Sequence, residues 1–368
     1  MKKLHEWNRR DMLGTMLTGA VGAAMGGTLR ADDATPATAA GSASTKEIPG
    51  DPRVRGPFPI LSTPFTEKGE LDYDVLAKQA QFVDKCGCSG MIWPQSGDSV
   101  DYLTMDEKLK GMEVLADAMK GRKSALCLGV QGKDTAEMLV YAKHVEKLGV
   151  PAIISRPPDE GKTEDDLREY WNALAKTVTR PVIIQTSGGT KYKGPGPSVK
   201  LLIELGTQYK HFGYVKEETG PILQRMQQLY AARPHIKCIF SAMGGFGWLH
   251  QFRYGSEGLV TERAVYADLL EDIWQRHLAG DDVGAADLFS KVLLMLNLKE
   301  TIPCNQLRGF HLYVWIKRGV FKNMISRSCN PQDANGKPFF SEMKLTNEQI
   351  AEIDLRFEAI KPYLHKLD

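Results

Sequence analysis

Between residues 58 and 261 the chain carries eight short apolar runs in which polar and apolar residues do not alternate. They span 58–62, 90–93, 125–130, 152–155, 182–185, 212–216, 238–241 and 259–261. A strand with one wet face alternates, so a run such as Ala152-Ile-Ile-Ser155 implies burial on both faces. That is the mark of a parallel sheet covered by helices. Segments of helical period lie between the runs, at 71–85, 105–119, 135–148, 164–178, 199–209, 221–231 and 264–278, with a short one near 248–253. Thr104-Met-Asp-Glu107 reads as a capping box opening the second of them. Eight strand–helix units in about 225 residues predict an α/β fold, a (β/α)8 TIM barrel over 54–280. A doubly wound open sheet is the alternative, but no G-x-G-x-x-G follows the first strand, and Gly244-Gly-Phe-Gly247 reads as a glycine-rich turn. Further helical segments at 283–296, 309–317 and 346–363 predict a C-terminal helical extension over 281–368.

The first residues read as targeting. Lys2, Lys3, Arg9 and Arg10 precede an uncharged stretch over 12–25, too short and glycine-rich to span a bilayer stably. Asn8-Arg-Arg-Asp-Met-Leu13 is similar to the twin-arginine export motif. A signal peptide over 1–31 and an Ala/Thr/Ser-rich linker over 32–53 are expected. Export to the periplasm follows, without stable membrane insertion.

Lys and Arg number 47 against 45 Asp and Glu, a formal charge of +2. Such a balance gives no electrostatic footprint for nucleic acid or for an anionic membrane surface. Small-molecule chemistry becomes the leading class. The six cysteines, at 86, 88, 127, 238, 304 and 329, show no zinc spacing. Cys127 and Cys238 sit in apolar runs that suit buried free thiols. No metal is expected.

In barrels of this kind the chemistry gathers at the C-terminal ends of the strands. The sixth run closes on Lys216. Burying an ammonium without a partner is costly, desolvation favours the neutral amine, and a neutral amine attacks carbonyls. A structural lysine paired with Glu217 or Glu218 is the plain alternative. The second run is followed by Pro94-Gln-Ser-Gly-Asp98, a polar turn able to offer N–H and hydroxyl groups to a carboxylate. The fifth closes on Gln185 and the eighth on Thr261-Glu262. A carboxylate at a barrel mouth can carry protons, but more often serves as a salt-bridge partner.

Over roughly 54–320 these ends resemble the dihydrodipicolinate synthase / N-acetylneuraminate lyase superfamily. Leu61-Ser-Thr-Pro-Phe65 with Gly69-Glu-Leu-Asp72 is similar to its opening "TPF…G.ID" phrase. Gln95-Ser-Gly-Asp98, with Leu103 and Glu107 downstream, is similar to its G-[ST]-T-G-E loop. Tyr214-Val-Lys216-Glu-Glu-Thr-Gly220 resembles its Schiff-base segment "IKEATG", and Gly255-Ser-Glu-Gly258-Leu-Val-Thr261 its eighth-strand phrase. The resemblance implies a barrel with a helical extension, a homodimer or homotetramer, and an imine between Lys216 and pyruvate or another 2-oxo acid, with no cofactor. It places the substrate carboxylate on Gln95, Ser96 and Gly97, with Thr261 nearby, and gives Gln185 the position of the catalytic tyrosine.

Two departures matter. Glutamine cannot ionise near neutral pH, so Gln185 cannot shuttle a proton as a phenol does. The family's "PYY" phrase after strand four reads Arg156-Pro-Pro-Asp159, so the second tyrosine is missing too. Pro94, Gln95 and Asp98 also alter the carboxylate loop, while Ser96 keeps its hydroxyl. Three functions are compatible with these residues. The first is a Schiff-base lyase, aldolase or dehydratase acting on a 2-oxo acid, sugar-derived, with Glu262 or Tyr192 as substitute proton carrier. The second is a non-catalytic exported small-molecule-binding protein on the same barrel. The third, a metal-dependent sugar isomerase, ranks last because the eight His are scattered.

Overall fold

The computed structural model describes residues 49–98, 100–298, 310–332 and 338–366. The expected signal peptide and all but the last residues of the linker lie outside the described residues.

Eight parallel strands form one sheet in the order β1-β8-β7-β6-β5-β4-β3-β2. They are β1 Gly56–Pro59, β2 Gly90–Trp93, β3 Ala125–Gly129, β4 Ala152–Ser155, β5 Val182–Gln185, β6 Tyr214–Lys216, β7 Cys238–Ser241 and β8 Gly258–Thr261. A parallel bridge between Ile60 and Ile92 joins the two ends of that order. The Leu61 amide there donates to the Ile92 carbonyl at 2.9 Å. The result is a (β/α)8 barrel with its helices outside: α1 Tyr73–Lys85, α2 Met105–Ala118, α3 Thr135–Leu148, α4 Glu164–Ala175, α5 Val199–Gln208, α6 Ile222–Ala231, α7 Trp248–Gln251 and α8 Ala267–Leu278. The Thr104–Glu107 capping box opens α2, and Thr163 with Asp166 caps α4 in the same way.

Two apolar layers explain why the strands do not alternate. Phe58, Ile92, Cys127, Ile154, Ile183, Tyr214, Phe240 and Val260 fill the barrel interior. Met91, Leu126, Leu128, Ile153, Ile184, Val215, Ile239 and Leu259 pack outward against the helices. Successive side chains of a strand face opposite ways, so both sets must be apolar. The ladder of β1 starts two residues before the expected run. β6 is shorter than expected, because Gly213 takes a left-handed φ of +96° and Phe212 belongs to the preceding turn.

The extension is only partly helical. It holds helices Asp282–Leu296, His311–Lys317 and Asn347–Ile360, and between the last two lies an unexpected antiparallel pair, Ile325–Gln332 with Pro338–Glu342. In the sequence, Asn335-Gly336 is a turn signal between two runs poor in helix formers. The extension is anchored at several points. Trp315 packs edge-on against Phe82 and donates to Ser62 Oγ at 3.2 Å. Arg318 pairs at 2.8 Å with Asp268, which is fully buried. Arg327 donates to Glu107 at 2.7 and 2.6 Å and to the carbonyls of Gly69 and Tyr102. The hairpin is thereby tied to the turn that follows β2.

Candidate active site

A cavity of about 490 Å³ opens at the C-terminal ends of the strands. Its chemistry comes from inward-facing residues at the ends of four strands, β4, β5, β6 and β8. Lys216 lies two residues beyond Tyr214, Gln185 two beyond Ile183, Arg156 two beyond Ile154 and Glu262 two beyond Val260. All four line the cavity.

Lys216 is 3% exposed. Its Nζ donates to Gln185 Oε1 at 3.1 Å and lies 3.1 Å from Glu218 Oε1. The β5–β6 register sets Gln185 directly beside Lys216. Gln185 Nε2 donates onward to the Ser187 carbonyl at 3.0 Å and its Oγ at 3.1 Å, and that hydroxyl donates to Glu218 Oε2. Lysine, amide, hydroxyl and carboxylate therefore close a ring at the cavity floor.

Glu217, next in sequence, points elsewhere. It is fully buried and accepts from Thr186 Oγ1 and the Thr219 amide, each at 2.8 Å, and from Arg225 Nε at 3.0 Å. Burial pushes its carboxyl above the ordinary range, against the opposing pull of Arg225 and those hydrogen bonds.

Ser96 and Gly97 line the cavity, and Gly97 takes a left-handed φ of +87° beside Glu262. Gln95 is turned away. It is wholly buried, where its Oε1 accepts from Gln131 Nε2 at 2.7 Å and from the Ser96 amide at 2.6 Å. Thr261 is buried off the cavity, since it belongs to the outward set of β8; its Oγ1 lies 3.4 Å from Glu262 Oε2. Glu262 is engaged by Arg263 Nη2 at 3.0 Å. The Tyr192 hydroxyl donates to the Pro195 carbonyl at 2.6 Å, away from the cavity lining. Asp98 accepts from the Thr63 amide and hydroxyl. Lys216, Gln185, Glu262, Ser96 and Gly97 thus come together, whereas Gln95, Thr261 and Tyr192 do not join them.

Two arginines of the lining were not singled out by the sequence reading. Arg156 donates to Ser96 Oγ at 2.5 Å and to Asp101 at 2.6 Å, and lies 3.5 Å from Asp159. Arg263 pairs with Glu262 and approaches buried His311 at 3.5 Å. Burial, then Arg263, holds that imidazole well below its ordinary range, so it is uncharged. The Nε of each arginine is buried without a hydrogen-bond partner. The guanidinium groups themselves, standing in the cavity lining, suit an anionic ligand. Inward parity from Ile154 was the signal that could have found Arg156.

Among the described residues no group of three His, Cys, Asp or Glu side chains is placed to hold a metal ion, and no helix is long and apolar enough to cross a membrane. The arrangement holds a buried primary amine touching an acid, in a cavity also lined by two guanidinium groups. It can bind an acid, attack its carbonyl and move protons at the new nitrogen.

A sequence model described as "Dihydrodipicolinate synthetase family" matches residues 53–306. The 4-hydroxy-tetrahydrodipicolinate synthase of Rhizobium meliloti (strain 1021) is 26% identical over 65% of this chain and 80% of its own. The probable 2-dehydro-3-deoxy-D-pentonate aldolase of Escherichia coli (strain K12) is 24% identical over 65% of this chain and 79% of its own. Among solved structures, the sialic acid aldolase of Ruminococcus gnavus superposes with a TM-score of 0.72 at 17% identity, over 84% of this chain and 98% of that one. A catalytic-lysine mutant of that aldolase gives 0.71.

Proposed function

Since the chain belongs to the dihydrodipicolinate synthetase family, we propose that it is a Schiff-base lyase in which Lys216 forms an imine with a sugar-derived 2-oxo acid, which is then cleaved or dehydrated. The observation that carries this reading is Lys216 itself. It is a buried amine at the barrel mouth, seated on an apolar layer and open to a cavity of about 490 Å³. Ser96, Arg156 and nearby amides hold the substrate carboxylate. The absence of a phenol at 185 and the altered carboxylate loop weigh against synthesis of a lysine precursor. A curated relative named as an aldolase of a deoxy sugar acid weighs toward cleavage of such acids.

The test is reductive trapping. Incubation with pyruvate, or with a panel of 2-dehydro-3-deoxy sugar acids, followed by borohydride should add a stable mass to the peptide holding Lys216. Lys216→Ala should remove the adduct. No adduct with any acid, in a protein that still binds them, would favour the binding-protein alternative.

We propose export as well, on the charge pattern of residues 1–31. Fusion of that segment to a folded reporter should send it across the inner membrane only while Arg9 and Arg10 are present. A homodimer or homotetramer, proposed by analogy with the family, is checked by light scattering at micromolar concentration.

A further inference from the structure

We propose that Glu218 is the proton carrier of this site, doing with a carboxylate what the missing phenol would do at position 185. The inference rests on the Schiff-base reading and deepens it.

Among the described residues two side chains touch Lys216 Nζ, Gln185 and Glu218, each at 3.1 Å. Of these only the carboxyl is an ionisable group able to carry a proton; the amide is not. Glu218 has the inward parity of Tyr214 and Lys216, lines the cavity and is held at both ends. Its amide donates to Thr186 Oγ1 at 2.8 Å, and Oε2 accepts from Ser187 Oγ. Oε1 is left facing the amine. The other candidates are engaged. Glu217 is bound by Thr186, Thr219 and Arg225, Glu262 by Arg263, and the Tyr192 hydroxyl by Pro195.

The ion pair also holds the protons that imine formation needs. One proton passes from Nζ to Glu218, leaving a neutral amine. The amine lone pair bonds to C2 of the 2-oxo acid, and the C=O π pair moves to oxygen. The protonated carboxyl gives its proton to that oxygen and takes one from the new N–C nitrogen, forming the carbinolamine. It then protonates the hydroxyl. The C–O bond breaks, water leaves, and the nitrogen lone pair closes the C=N bond. The three protons of the ammonium end as one on the iminium and two on water. The carboxylate is regenerated, and no external acid or base is consumed.

The experiment is rapid-quench borohydride trapping of the full chain with pyruvate, read as the rate at which the Lys216 adduct accumulates. Glu218→Gln keeps the shape and the contact with Ser187 but cannot carry a proton. The expected result is the same adduct formed about 100-fold or more slowly, the usual worth of a general acid–base group. Glu218→Ala should be equally slow and should be accelerated by formate but not by chloride. Thermal melting of each variant runs alongside, because a merely structural role would lower the melting temperature and leave the formate response absent. If Glu218→Gln does not fold, the formate response of Glu218→Ala decides. Wild-type rates in Glu218→Gln, or a slow Glu218→Ala indifferent to formate, would overturn the role of Glu218 while the Schiff-base reading stands. A wild-type protein that forms no adduct with any 2-oxo acid would overturn both.

Discussion

Arg225→Met should expose how strongly the end of β6 depends on one buried ion pair. Glu217 is fully buried and Arg225 nearly so, with Nε 3.0 Å from Oε2. This is not a solvated surface pair, whose loss would go almost unnoticed. Removing one partner of a buried pair leaves the other uncompensated, at a cost of about 3–5 kcal/mol. Methionine is close to the arginine stem in length, so little of that loss comes from a void. The loss should depend on pH. Burial already holds the Glu217 carboxyl above its ordinary value of 4.5, so the folded state keeps that proton more tightly than the unfolded chain does. Stability tied to the proton is therefore complete below the unfolded value and is lost as pH rises through the raised folded one. Without Arg225 the folded value rises further and the window widens toward neutrality. Urea unfolding of both proteins at about pH 5 and about pH 7.5 is the assay, with a much larger deficit expected at the higher pH. Equal deficits at the two pH values, or a deficit below about 1 kcal/mol at the higher one, would refute the reasoning.

Arg156→Leu should raise KM for the 2-oxo acid about 10–100-fold, the worth of a charged hydrogen bond, with the trapped adduct still reached at saturation; the dependence of the trapping rate on pyruvate concentration measures it. Gly90→Ala would drive a methyl group into the Phe58 ring inside the barrel, and an overpacking loss of about 1–3 kcal/mol should appear in the urea midpoint. Cys86, Cys88, Cys127 and Cys238 are buried free thiols, all pushed up by desolvation. Iodoacetamide should leave these four unmodified in the native protein and label them in urea, as mass spectrometry of their peptides would show.

The barrel was legible because its cause is local. Runs such as Ala152-Ile-Ile-Ser155 are apolar on both faces, and that pattern has few solutions when it recurs eight times between amphipathic helices. Lys216 was legible for the opposite reason, as a charge closing an apolar strand. The strand pair in the extension was not legible, because strong helical periods at 309–317 and 346–363 flank it in the sequence. The fate of Gln95 was not legible either. It stands in a turn suited to carboxylate binding, yet Gln131 from the neighbouring strand end captures its side chain at 2.7 Å.

The sequence by itself determined that eight strands run parallel, that both their faces are covered, and that an amine stands at the end of the sixth. Only the tertiary structure decided what the amine touches. Gln185 and Lys216 lie 31 residues apart and meet because β5 and β6 pair in that register. Parity around the closed barrel then turns Arg156, Glu218 and Glu262 toward the cavity and buries Thr261 against the helices. A strand's alternation fixes which residues share a face, but which face becomes the inside is chosen only when the sheet closes and the larger apolar set finds the helices.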